Sequence, residues 1–238
     1  VINNHIDNKE LEPEMTNENT PIKKKPDEMP GIYVRGHIKI FDPENGEVFV
    51  DKTNAIHYEN ISEAIAQTLS NKGTNFIAEM VFGNGGTNVD PTGVINYLPS
   101  NTSTQNADLY SPVFFKNVDD TSTLNVDPAR NKMTINHTPG QLYSDIVVSC
   151  LLDYGEPNVN SPGNLLGVNQ SAFDSSVYNN GGFVFDELGL KGFSAAGQGM
   201  GKLLTHVVFH PVQKSLNRLI QIDYTVRIQT LTNLSAIG

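Results

Sequence analysis

The chain has 238 residues, 38% of them hydrophobic, with 16 basic against 26 acidic side chains and a net charge of −10, which suits one large domain or two small ones with a real core. That charge excludes a basic duplex-binding footprint, so no direct nucleic-acid partner is expected, and no stretch approaches the roughly 18 consecutive apolar residues that span a bilayer, so no membrane partner is expected either. The single cysteine, Cys150, excludes an internal disulfide framework and a cysteine-rich metal site.

Residues 1–30 read as an extended N-terminal arm. Apolar residues are few and aperiodic there, Pro13, Pro21, Pro26 and Pro30 interrupt any regular element, and the first ten residues lack the basic-then-apolar layout of a secretory signal. Lys23, Lys24 and Lys25 sit among Glu10, Glu12, Glu14 and Glu18, while Ile2, Ile6, Leu11, Met15, Ile22 and Met29 are isolated apolar pegs. Alone, such a segment has too little apolar surface to offset its ordering entropy; laid across a neighbouring subunit it has pockets to fill. From Gly31 a period of two begins: Ile32, Val34, Ile38 and Ile40 alternate with polar neighbours, Asp42-Pro43-Glu44-Asn45-Gly46 supplies a turn, and Val48 and Val50 resume the alternation. This predicts a β-hairpin. A helix over Asn60 to Lys72 follows, with Asn60 as N-cap, Glu63 three residues on, a stripe of Ile61, Ala64, Ile65, Thr68 and Leu69, and a stop at Gly73. Phe76, Ala78, Met80 and Phe82 alternate as a strand that ends at Gly83-Asn84-Gly85-Gly86, glycines expected to supply positive φ.

The middle is rich in loops, notably 91–107, with short strands expected over Val113 to Val118 and Met133 to Asn136 and a buried one over Asp145 to Leu152. Residues 153–182 form a long Gly-, Asn- and Ser-rich loop of the kind that marks a binding or assembly surface. Strands return over Phe183 to Leu190, Lys202 to His210 and Arg218 to Gln229. In the last, Ile220, Ile222, Tyr224, Val226 and Ile228 share one face. The fold class read from this is mainly β: an antiparallel β-sandwich domain over 31–229 with one short α-helix and a C-terminal tail at 230–238. Its core is expected to contain Ile32, Val34, Ile38, Ile40, Phe82, Val147, Ile220, Ile222 and Val226.

No constellation in the chain carries a catalytic, cofactor-binding or metal assignment. His206 and His210 stand four apart, but on a strand that spacing is about 13 Å, too long for two ligands of one ion. Gly197 to Lys202 lacks the first Gly and the final Ser or Thr of a phosphate loop and reads as a flexible hairpin tip. Phe82 to Gly86 lacks the third Gly and the following helix of a dinucleotide fingerprint. Asp186 and Glu187 are adjacent, so on a strand they face opposite sides and cannot flank one substrate bond. Cys150 lies in an apolar strand, where a thiol is a core residue. The Asn-x-Ser/Thr triplets at Asn60, Asn101, Asn136, Asn169 and Asn233 are expected by chance in so Asn-rich a chain.

Taken together, Phe82-Gly83-Asn84-Gly85-Gly86, Phe185-Asp186-Glu187-Leu188-Gly189-Leu190, the run from Leu203 to Lys214 and Ile222-Asp223-Tyr224-Thr225-Val226-Arg227-Ile228 resemble a group of tailed-bacteriophage virion proteins of the collar, fibre-attachment and decoration type. The resemblance covers most of 31–229. It implies a non-enzymatic structural component of the virion, in the neck or collar or the tail and baseplate region, whose partners are other copies of itself and other virion proteins in a homo-oligomer. The alternatives it leaves are a capsid decoration protein and a host-surface or carbohydrate-binding module. The absence of Trp counts against a sugar site, while Tyr97, Tyr110, Tyr154 and Tyr178 in loops count for one.

Overall fold

The computed structural model describes residues 31–157 and 182–231; the arm, most of the 153–182 loop with Tyr178, and the tail beyond 231 lie outside the described residues. Strand β1 (Gly31–Phe41) and β2 (Val48–Ile56) form the hairpin, closed at Asn45-Gly46, where Gly46 takes a φ of 77°. Helix α1 (Tyr58–Ser70) leads to β3 (Ile77–Gly83), then a small hairpin of β4 (Thr87–Val89) and β5 (Ile95–Tyr97), of which β5 lies inside the 91–107 segment read as loop. Next come β6 (Pro112–Asn117), β7 (Lys132–His137), β8 (Tyr143–Leu152), β9 (Gly182–Gly192), β10 (Leu203–Ser215) and β11 (Ile220–Leu231).

Nine of these strands make one antiparallel sheet in the order β6-β3-β9-β10-β2-β1-β11-β8-β7. Strand β2 is where the sheet turns over. Residues 48–54 pair with β1, whereas only Ala55 and Ile56 pair with β10. The two leaves on either side of it bury one shared core, with Ile38, Ile40, Cys150, Ile220, Ile222 and Val226 from one leaf and Phe82, Phe114, Phe185, Leu188 and Phe209 from the other. The fold is therefore mainly β and sandwich-like, as the period-two segments predict.

Several expectations need correction. Ile32 lies on the core-facing side but is 64% exposed, because the opposite leaf does not reach it. Val147 is half-buried, and its neighbour Val148 faces the core. The helix begins two residues before Asn60, with His57 as N-cap accepting from the Asn60 amide at 3.3 Å. Asn60 is instead buried, its side-chain amide donating to the Leu203 carbonyl at 2.8 Å. Glu63 pairs with Lys202 rather than closing a capping box. The helix ends at Asn71 in the left-handed region, before Gly73, and Leu69 is exposed. Strand β10 does not stop at Pro211. Its register with β9 shifts between Val208 and Val212, so the proline sits where the ladder is already interrupted.

Candidate functional site

The most concentrated polar chemistry lies where β9 and β10 meet the turn after β3. Asp186 and Glu187 stand in an otherwise apolar strand, and both are buried, so each needs partners for its oxygens. Glu187 Oε1 accepts from the amides of Gly85 (3.1 Å) and Ser111 (2.8 Å), and Oε2 from the Tyr110 amide (2.9 Å) and His206 Nε2 (3.0 Å). Asp186 accepts from the amides of Gly86 and Thr87, each at 2.9 Å, and from the Thr87 hydroxyl. Burial pushes the Asp186 carboxyl up, against the pull of those Thr87 and Gly86 donors. His206 Nδ1 accepts the Asn101 amide at 2.8 Å, which leaves Nε2 to carry the hydrogen given to Glu187.

The two carboxylates thus grip successive amides of one turn. Sequence reasoning placed them on opposite sides of a strand and missed that the chain passes over both. The available signal was two acids inside an apolar strand, which demand buried donors. The glycines of that turn are not there for positive φ, since none of Gly83, Gly85 and Gly86 adopts it. They allow close approach: a Cβ on Gly83 would lie 2.4 Å from Glu187 Oε1, on Gly85 2.8 Å from Ser111 Cβ, and on Gly86 2.9 Å from Val208 Cγ1. Glu187 and His206 are both fully buried, so neither side chain presents an atom to a bound molecule.

A second latch holds the connection between β9 and β10. Glu79 and Lys191 pair across β3 and β9. Lys191 Nζ donates to the Asp108 carboxylate (2.7 Å) and the Gly199 carbonyl (2.8 Å), while the Gly199 amide donates to Glu79 (2.7 Å). Burial raises the Glu79 carboxyl above its usual range. The Gly197 to Lys202 segment is a hairpin connection, as its composition predicts, but it is anchored at Gly199 rather than loose. Elsewhere, Lys116 Nζ pairs with Glu156 at 2.6 Å, and burial pushes the Cys150 thiol up to about 12.

His206 and His210 do lie on one strand, His206 buried and His210 exposed with its Nδ1 3.1 Å from the Tyr97 hydroxyl. Among the described residues no group of three His, Cys, Asp or Glu side chains converges as a metal site, and no described helix is long and apolar enough to cross a membrane. The exposed rings of Tyr110 and Tyr154 have hydroxyls that donate within the fold, to the Pro99 carbonyl and to Glu44 at 2.7 Å each. A groove of 440 Å³ runs between the start of α1 and the β1–β2 pair, lined by Val34, Gly36, Asn54, Tyr58, Glu59 and Thr102 among others.

Fold and site together define an antiparallel β protein whose buried charged groups fasten its own turns. No protein-family model matches the chain, and comparison with curated proteins and with solved structures returned no match.

Proposed function

We propose that this chain is a non-enzymatic structural component of a tailed-phage virion, acting through subunit–subunit contacts in the neck or collar or the tail and baseplate region. The observation that carries the reading is the Asp186–Glu187 latch. The segments that resemble virion proteins, Phe82 to Gly86, Phe185 to Leu190 and the strand with His206, are the segments these hydrogen bonds join. Their shared pattern is therefore an architectural one, with its carboxylates committed to backbone amides and closed to a substrate. Partners on this reading are other copies of the chain and other virion proteins, and nucleic acid is not among them at a net charge of −10.

The test is mass spectrometry of purified virions combined with antibody labelling in negative stain. The chain is expected at a fixed stoichiometry, with label at the neck or the tail. Label over the capsid surface would transfer the reading to a decoration protein, and absence from the particles would overturn it.

A further inference from the structure

One end of the core-facing side of the first leaf is left uncovered by the described residues. The cross-strand register puts Ile32, Ile228, Ile146 and Ile135 on that side, in a diagonal band from β1 across β11 and β8 to the edge strand β7. Burial falls away along the band. Val226 is buried, its neighbours Ile146 and Ile228 only half so, and Ile135 and Ile32 are 76% and 64% exposed. At Val34 and Gly36 the same side opens into the 440 Å³ groove beside Tyr58 and Glu59. The Asn54 Oδ1 atom under this groove is buried against Gly36, without a hydrogen-bond partner among the described residues, and is closed to a passing chain.

A narrow diagonal apolar band that runs on into a groove fits an extended polypeptide better than a flat face. We infer that its occupant is the N-terminal arm, residues 1–30, of a neighbouring copy; this rests on the reading of the chain as a self-assembling component. The arm joins the fold at Gly31, next to Ile32 at the rim of the band. Of its apolar pegs, Leu11 and Met15 stand four residues apart, about 13 Å in extended chain, and so can seat together on a band four strands wide, about 15–20 Å, which about six extended residues span. Pro26 and Pro30 bias the residues before them, Lys25 and Met29, toward extended geometry. With up to about 100 Å of reach in thirty residues, the next copy is within range.

The test uses the full chain with Ile135 replaced by the photoreactive p-benzoylphenylalanine, as an equimolar mixture of unlabelled and ¹⁵N-labelled protein, irradiated and mapped by mass spectrometry. Position 135 of one isotopic form is expected to cross-link to residues 1–30 of the other. Cross-links within one copy only, to residues 158–181 or 232–238, to β7 of a second copy, or none, each overturn the assignment. In parallel, Ile135→Asp at this exposed position is expected to leave the melting temperature unchanged and to weaken self-association at least tenfold; unchanged self-association overturns it as well. Virion mass spectrometry separates the two claims: a chain present in virions but lacking the cross-link loses only this seat, and one absent from virions loses the virion reading whatever the cross-link shows.

Discussion

Glu187 accepts four hydrogen bonds in a site with no water-facing surface. Glu187→Gln keeps the shape but places two donors where four converge, leaving at least one buried N–H opposed to another. It is expected to lower unfolding stability by about 3 kcal/mol, read as a drop in urea midpoint at unchanged slope; a midpoint equal to wild type would mean the latch is dispensable. Lys214 presents the opposite case. It is fully buried with its ammonium donating to the Ser215 carbonyl at 2.8 Å, and burial lowers it from 10.5 to about 8. Between those values the unfolded chain holds a proton that the folded chain has released, so this residue's contribution to stability rises with pH across the window and is lost as pH falls through about 8. Lys214→Met is therefore expected to be more stable than wild type at the lower end, with the difference shrinking toward the upper end. Urea midpoints of both proteins at the two ends check this, and a difference independent of pH refutes it.

At the scale of elements, legibility followed periodicity. Strands β1 and β11 alternate with a period of two and are covered on one side over most of their length, so sequence and structure agree on them except at the end that carries Ile32. Strand β3 is buried on both faces, because Val81 packs with Leu109, Phe115 and Leu203 on the side away from the main core, and a pattern of two carries no trace of that second cover. The α1 cap failed for a similar reason. Asn60 has the right chemistry for an N-cap, but its side chain is recruited by the Leu203 carbonyl on β10, 143 residues away, and His57 takes the role. Turn composition located the Gly83 to Gly86 turn, while the cause of its glycines is visible only once Glu187, Asp186 and Val208 are beside them. The same holds for the latch: two acids in an apolar strand were legible as a problem, and their donors from 85–87 and 110–111 were not, since nothing local links those segments.

The whole molecule depends on pairings between the ends of the described chain. Strand β1 pairs along its length with β11, Gly31 opposite Leu231, and β11 is also the partner of β8. The first leaf consequently has no continuous ladder until the last strand is in place: without β11, β1–β2 is held to the sheet only by the short pairing of Ala55 and Ile56 with β10, and β8–β7 is a separate two-strand ribbon, of a kind at best marginal in water. The core would lose Ile220, Ile222, Tyr224 and Val226, all buried, and Ile38, Ile40, Val148 and Cys150 would face the gap. Such long-range closure also makes folding slow, on the order of milliseconds to seconds. Ending the chain at residue 219 is accordingly expected to abolish cooperative folding rather than to trim an edge, although fewer than a tenth of the residues are removed. Thermal melting followed by circular dichroism, with near-ultraviolet signals for the tyrosines, distinguishes the cases. A truncated chain that still melts in a single sharp transition would show that the β10–β9–β3–β6 leaf folds by itself, and that the first leaf is built upon it instead of jointly with it.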